Sequence, residues 1–143
     1  MSFELHPRLA ADAFTLGDFP LCRLLLMNDA QYPWFILVPR RANAREIYLL
    51  EEADQQALLR ESSLLSRELM GAFAGEKLNV CALGNVVPQL HLHHIVRHAA
   101  DAAWPGPVFG RHPAVPYTDA ARAQRVAALR PRLARDFTWA AGC

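Results

Sequence analysis

Short apolar runs alternate along this chain with polar, turn-rich stretches. Leu21 to Met27 and Trp34 to Val38 flank the tetrapeptide Asn28-Asp-Ala-Gln31. Two runs of strand length around so short a polar connection predict an antiparallel hairpin. From Glu51 to Phe73 the pattern changes: Leu, Glu, Arg, Gln and Ala dominate, and Leu58, Leu65 and Leu69 recur at helical spacing. This predicts one long helix, with Gly75 placed to stop it. Lys77 to Leu83 returns to a strand pattern whose apolar run is closed by Gly84-Asn85. A further strand is expected at once, over Gln89 to Val96 of the segment Asn85 to Arg97, with Asn85 just before it. There Gln89, His91, His93 and Ile95 alternate with Leu90, Leu92, His94 and Val96. Extended chain would turn the first set to one face and a mostly apolar row to the other.

At about residue 98 a Pro, Gly and aromatic stretch begins, Trp104-Pro-Gly-Pro-Val-Phe-Gly110 followed by Pro113 and Pro116. It reads as an ordered loop. Beyond it Thr118 is placed to cap a helix whose Val126, Leu129 and Leu133 form an apolar stripe, and Pro131 should break or kink that helix. Six arginines lie between Arg111 and Arg135, and on the outer face of a terminal helix such charge usually serves solvation.

Composition narrows the picture. The chain has 143 residues, 52% hydrophobic and 20% charged, the profile of an ordinary globular protein of one domain. Its formal net charge of +1 lacks the basic footprint of a dedicated nucleic-acid binder, so no nucleic acid is expected as partner. The N-terminal residues show no apolar stretch of signal-peptide length, and runs such as Trp34 to Val38 are far short of a membrane span. Cys22, Cys81 and Cys143 are odd in number and without CxxC spacing, which argues against a disulfide framework and against a cysteine zinc site. A reducing cytoplasm is the expected location.

Candidate chemistry concentrates in Gln89, His91 and His93. On one strand face the two histidines would have Cα atoms about 6.7 Å apart, close enough for both rings to meet one phosphate-sized group or one metal ion. A neutral imidazole is a good nucleophile toward phosphorus near pH 7, once its other nitrogen donates to a carbonyl. His93 would then hydrogen-bond a phosphate oxygen or the leaving group, Gln89 would orient a ring through its amide, and Asn85 adds one more amide. A metal site would need a third ligand, and His6, His98 and His112 could supply one only through tertiary contacts. A polar row simply facing water is the remaining reading. His94 points to the opposite face and reads as structural.

Gln89-Leu-His-Leu-His-His-Ile-Val resembles the His-x-His-x-His signature of the histidine-triad (HIT) nucleotide hydrolases and transferases, and is closest in kind to the diadenosine polyphosphate hydrolase-like branch. Trp34-Phe-Ile-Leu-Val-Pro-Arg-Arg41 resembles the family's strand ending in Pro and basic residues, and the helix, strand, Gly-polar turn and His strand follow in the family's order. The resemblance covers about residues 20–98, with the Pro-rich loop and helical tail, about 99–143, outside it. It implies an α+β fold, an antiparallel sheet of about five strands with one long helix across it, usually in a two-fold homodimer. His91 matches the middle triad histidine, the family's nucleophile, and His93 the third, which contacts phosphate and assists the leaving group. Gln89 stands where the family has its first histidine, which orients the nucleophile. Asn85 falls where an amide or hydroxyl residue touches phosphate, and Asn28 near the ribose-binding position. The implied reaction is hydrolysis or transfer of nucleotidyl groups from dinucleoside polyphosphates or nucleoside phosphoramidates, through an intermediate on His91 and with neither metal nor cofactor. Two alternatives remain: a nucleotide-binding regulator with little turnover, and a metal-dependent hydrolase with His91 and His93 as ligands. The Trp104 loop would cover the site, stack a base or bury Trp104 against a partner copy.

Overall fold

The computed structural model describes residues 2–143. Its elements are α1 (Pro7–Asp12), β1 (Ala13–Asp18), β2 (Cys22–Met27), β3 (Trp34–Pro39), α2 (Glu52–Ala72), β4 (Lys77–Cys81), β5 (Leu92–Arg97), α3 (Asp119–Leu129) and β6 (Thr138–Trp139). The strands form one six-stranded sheet in the order β4-β5-β3-β2-β1-β6, every neighbouring pair antiparallel. The fold is α+β. The predicted hairpin is present, with Leu24 opposite Leu37 and Leu25 opposite Ile36, and residues 28–33 connect its strands.

Strand alternation divides the apolar residues between two faces. Leu24, Leu26, Phe35, Leu37, Leu92 and Val96 point to the helices, where they pack with Leu58, Leu65 and Leu69 of α2 and with Val126, Leu129 and Leu133 of the tail. Fully burying one such side chain contributes about 1.5–3 kcal/mol, so these stripes hold both helices on the sheet. Leu25, Trp34, Ile36, Val38 and Ile95 point the other way, under Leu9, Val87, Ala103 and Val108. Thr118 caps α3 as expected, its side chain accepting from the Ala121 N–H at 3.1 Å. Pro131 falls in a single 3-10 turn, Arg130–Arg132, that ends the helix.

Three features depart from the sequence expectation. Helix α2 ends at Ala72, and the left-handed residue beyond it is Ala74, with φ of 48°, rather than Gly75. Gly75 answers a different need, because a Cβ there would lie 2.5 Å from Met70 Sδ and 2.6 Å from Val96 Cγ1. The His strand begins at Leu92 rather than further upstream. Its neighbour β4 has already ended at Cys81, opposite His93, and the Leu90 N–H turns instead to the Ala44 carbonyl at 2.9 Å. Finally, β1 and β6 extend the sheet beyond the hairpin side that the sequence marked, and the short helix α1 leads into β1.

Candidate active site

His91 sits at the mouth of β5, 5% exposed. Its Nδ1 lies 2.7 Å from the Gln89 main-chain carbonyl. A carbonyl only accepts, so Nδ1 carries a proton, and in the neutral ring the lone pair is on Nε2. Gly84 packs against the ring: a Cβ at Gly84 would stand 2.8 Å from His91 Cε1 and 2.8 Å from the Val87 carbonyl. Beside the ring opens a cavity of about 240 Å³, lined in part by Gly84, Asn85, Gln89, Arg45 and Glu46. Asn85 thus lines the same cavity as His91.

His93 stands next along the same face, its ring centroid 4.9 Å from that of His91. It is held on three sides. The Trp34 indole Nε1–H donates to His93 Nδ1 at 3.0 Å, and His93 Nε2–H donates to the Leu83 carbonyl at 3.0 Å. The Phe109 ring meets it edge-on at 4.9 Å. Burial lowers its pKa to about 4, against the opposing pull of the Leu83 carbonyl, and the neighbouring His91 lowers it further.

His94 faces α2 and is fully buried. The Ser62 hydroxyl donates to its Nε2 at 2.7 Å, and its Nδ1–H donates to the Leu92 carbonyl at 3.1 Å. Burial lowers its pKa to about 4 as well. Gln89 touches His91 only through its main chain. Its side-chain Nε2 donates to the Glu4 carbonyl at 2.9 Å, and its Oε1 accepts from the His6 N–H at 2.8 Å. The amide that was expected to orient a ring instead ties down the N-terminal segment. Asn28 stands apart from the His91 cavity, its Oδ1 accepting from the Tyr117 N–H at 2.9 Å. Trp34 and Phe109 were not singled out from the sequence. Trp34 was legible in principle, since pairing β3 with β5 puts Ile36 opposite His93 and alternation then puts Trp34 on the histidine face. Phe109 comes from a loop, and no local pattern reports its destination.

The HIT domain family profile matches residues 8–100, which takes in Gln89, His91 and His93. The chain belongs to the HIT domain family. Three solved structures accompany that match. A histidine triad protein from Marinobacter aquaeolei VT8 is 58% identical, with 93% of this chain and 97% of that chain covered and a TM-score of 0.91. A histidine triad protein from Bradyrhizobium japonicum is 44% identical over 93% of this chain and 99% of that one, also with a TM-score of 0.91. A histidine triad (HIT) protein from Sinorhizobium meliloti 1021 is 41% identical over 92% and 97%, with a TM-score of 0.89. No match was found among curated proteins. The sheet and helices described above are accordingly the HIT fold, and HIT proteins are generally nucleotide hydrolases and transferases. The HIT profile stops at residue 100, so Phe109, which abuts the histidines, lies beyond it. Among the described residues no helix is long and apolar enough to cross a membrane.

Proposed function

We propose that this HIT protein hydrolyses or transfers nucleotidyl groups through a covalent nucleotidyl-histidine on His91, acting on dinucleoside polyphosphates or nucleoside phosphoramidates. The observation that carries this reading is the geometry of His91: a buried imidazole whose Nδ1–H is tied to the Gln89 carbonyl, the tautomer that in the neutral ring puts the lone pair on Nε2, beside an open cavity. Attack by Nε2 forms a P–N bond while the bond from phosphorus to the leaving group breaks and its electron pair departs with that group; for the charge that builds on the phosphoryl oxygens, the Asn85 amide and main-chain N–H groups are the available donors. Asn28 is proposed to meet the ribose. That role requires its side chain to serve substrate as well as Tyr117.

The metal-ligand alternative fits the geometry poorly. His93 offers no lone pair, because Nδ1 already accepts from Trp34 and Nε2 carries the proton given to Leu83. The regulator alternative predicts binding without a covalent adduct. We also propose that two copies pair as a homodimer, a matter of the open sheet edge.

Intact-protein mass after a brief alkaline, denaturing quench tests the mechanism, with adenosine phosphoramidate or diadenosine tetraphosphate as substrate. An adenylyl adduct is expected on the wild type, absent from His91→Ala and indifferent to chelator. Near wild-type turnover by His91→Ala would sink the mechanism. Nucleotide binding with neither adduct nor turnover would favour the regulator.

A further inference from the structure

His93 is held between two groups that admit a single protonation state. The Trp34 indole N–H can only donate, and it reaches His93 Nδ1 at 3.0 Å. The Leu83 carbonyl can only accept, and it meets Nε2 at 3.0 Å. Both bonds assign the same tautomer, protonated on Nε2 and bare on Nδ1. The tilted Trp34 ring, 5.7 Å away, and Phe109, 4.9 Å away, keep water from the imidazole.

Among the described residues no histidine other than His91 lines the cavity beside the nucleophile. His91 keeps its proton on Nδ1, facing the Gln89 carbonyl. His94 lies behind the sheet with both nitrogens engaged. His98 Nε2 gives its proton to the Phe73 carbonyl, and His112 Nε2 to the Ala102 carbonyl. His6 Nδ1 accepts from the Arg8 N–H at the start of α1.

We propose that Trp34 is a positioning residue that sets substrate specificity: by locking His93 as the neutral Nε2–H tautomer, it leaves the nucleophile without a neighbouring imidazolium as general acid and favours leaving groups that depart as stable oxyanions. This rests on the nucleotidyl-transfer reading above and narrows it. In the first step the His91 Nε2 lone pair forms the P–N bond while the P–O bond to the leaving group breaks. The electron pair leaves with that oxygen, and no proton moves. In the second step water attacks phosphorus, the P–N pair returns to Nε2, and the proton of the water passes to solvent. A phosphate or acidic phenolate departs readily in this way. An amine does not, because it must be protonated before its P–N bond can break. The favoured substrates are therefore phosphoanhydrides rather than phosphoramidates.

The test is a series of adenosine 5′-phosphoryl aryl esters with phenols of graded acidity, together with adenosine 5′-phosphoramidate. For the wild type, kcat/KM should fall steeply as the phenol becomes less acidic, and the phosphoramidate should trail the most activated ester by roughly 100-fold or more, the size of a missing general acid. Trp34→Phe keeps an aromatic ring but removes the indole N–H, which frees His93 Nδ1 to take a proton. That variant should show a flatter leaving-group dependence, a phosphoramidate-to-ester ratio raised by roughly tenfold or more, and a new acidic limb in its pH profile. Nitrogen NMR of the wild-type His93 ring should report Nε2 protonated and Nδ1 as acceptor.

Equal leaving-group slopes in wild type and Trp34→Phe, or a proton found on Nδ1, would overturn the proposal. So would a wild type that turns over the phosphoramidate as fast as the activated esters; in that case the His91 adduct still forms and nucleotidyl transfer stands. If no substrate reacts and no adduct forms, the nucleotidyl-transfer reading itself has failed and the selectivity falls with it. Should Trp34→Phe not fold, the wild-type slope and the NMR assignment decide alone.

Discussion

Two neighbouring histidines, His93 and His94, point to opposite faces of one strand and share one electrostatic condition. Each is buried, each has both ring nitrogens engaged, and burial holds each pKa near 4, below the ordinary value of 6.5. Between those two values the unfolded chain binds protons that the folded chain refuses. Their contribution to stability is therefore complete above pH 6.5 and is lost as the pH falls toward 4, at up to about 1.4 kcal/mol per pH unit for each ring. Urea unfolding at pH 7 and pH 5 should show the loss, and His94→Gln should reduce the slope by about half. A free energy flat between those two conditions would refute the assignment. His91 differs from both, since only one of its nitrogens is tied down. The sequence identified these residues through alternation, and it looked to the Gln89 side-chain amide to orient His91, whereas in the structure the Gln89 main-chain carbonyl meets the ring. Side-chain amides advertise themselves in a sequence, whereas the direction of a main-chain carbonyl depends on where the strand begins.

At the level of elements, the exit of β5 positions the site as much as its entrance does. Arg97, 1% exposed, closes the strand with a two-pronged pairing to Asp101 at 2.8 and 3.1 Å. Its remaining donors reach Asn79 Oδ1 and the Gly106 carbonyl, both at 2.8 Å. Asp101 in turn accepts from the N–H groups of His98, Ala103 and Trp104. Burial alone would raise its pKa, but the Arg97 hydrogen bonds and the His98 and Ala103 N–H groups together hold it at about 2. This clamp shapes the loop that carries Phe109 to His93, while Trp104 stays 38% exposed over Arg97. Asp101→Asn would leave a buried guanidinium without its counter-charge, a change expected to cost about 3–5 kcal/mol. Unfolding free energies of the two proteins would check it, and a loss under about 1 kcal/mol, the range of an exposed pair, would contradict the role. None of this was readable as a pattern. The hairpin and α2 were, because their periodicity spans whole elements. β1 was not, since its short run carries Gly17 at a register shift, and the two residues of β6 are a strand only by pairing with it.

For the whole molecule, the two sheet edges are unequal. At one end β6 offers two residues, too few to template another strand. At the other, β4 leaves five residues with one side unpaired. Val80 lies opposite His94 and two residues from Leu78, so it points to the face that α2 covers, yet it remains 45% exposed, and Leu83 just beyond is 47% exposed. An unprotected edge bearing half-covered apolar side chains invites a second strand. Antiparallel pairing of two β4 strands about a two-fold axis would satisfy the free main-chain groups of both copies and cover Val80 and Leu83 with their counterparts. Sedimentation equilibrium should then give twice the chain mass for the wild type. Val80→Lys places a charge in the centre of that contact, and it should weaken the pairing by at least about tenfold, or about 1.4 kcal/mol. The substitution is on the side of the sheet away from His91, so a folded monomer is the expected product rather than an unfolded chain. A wild type that sediments as a monomer at tens of micromolar would reject the homodimer, whereas a Val80→Lys protein that stays fully dimeric would move the interface away from this edge.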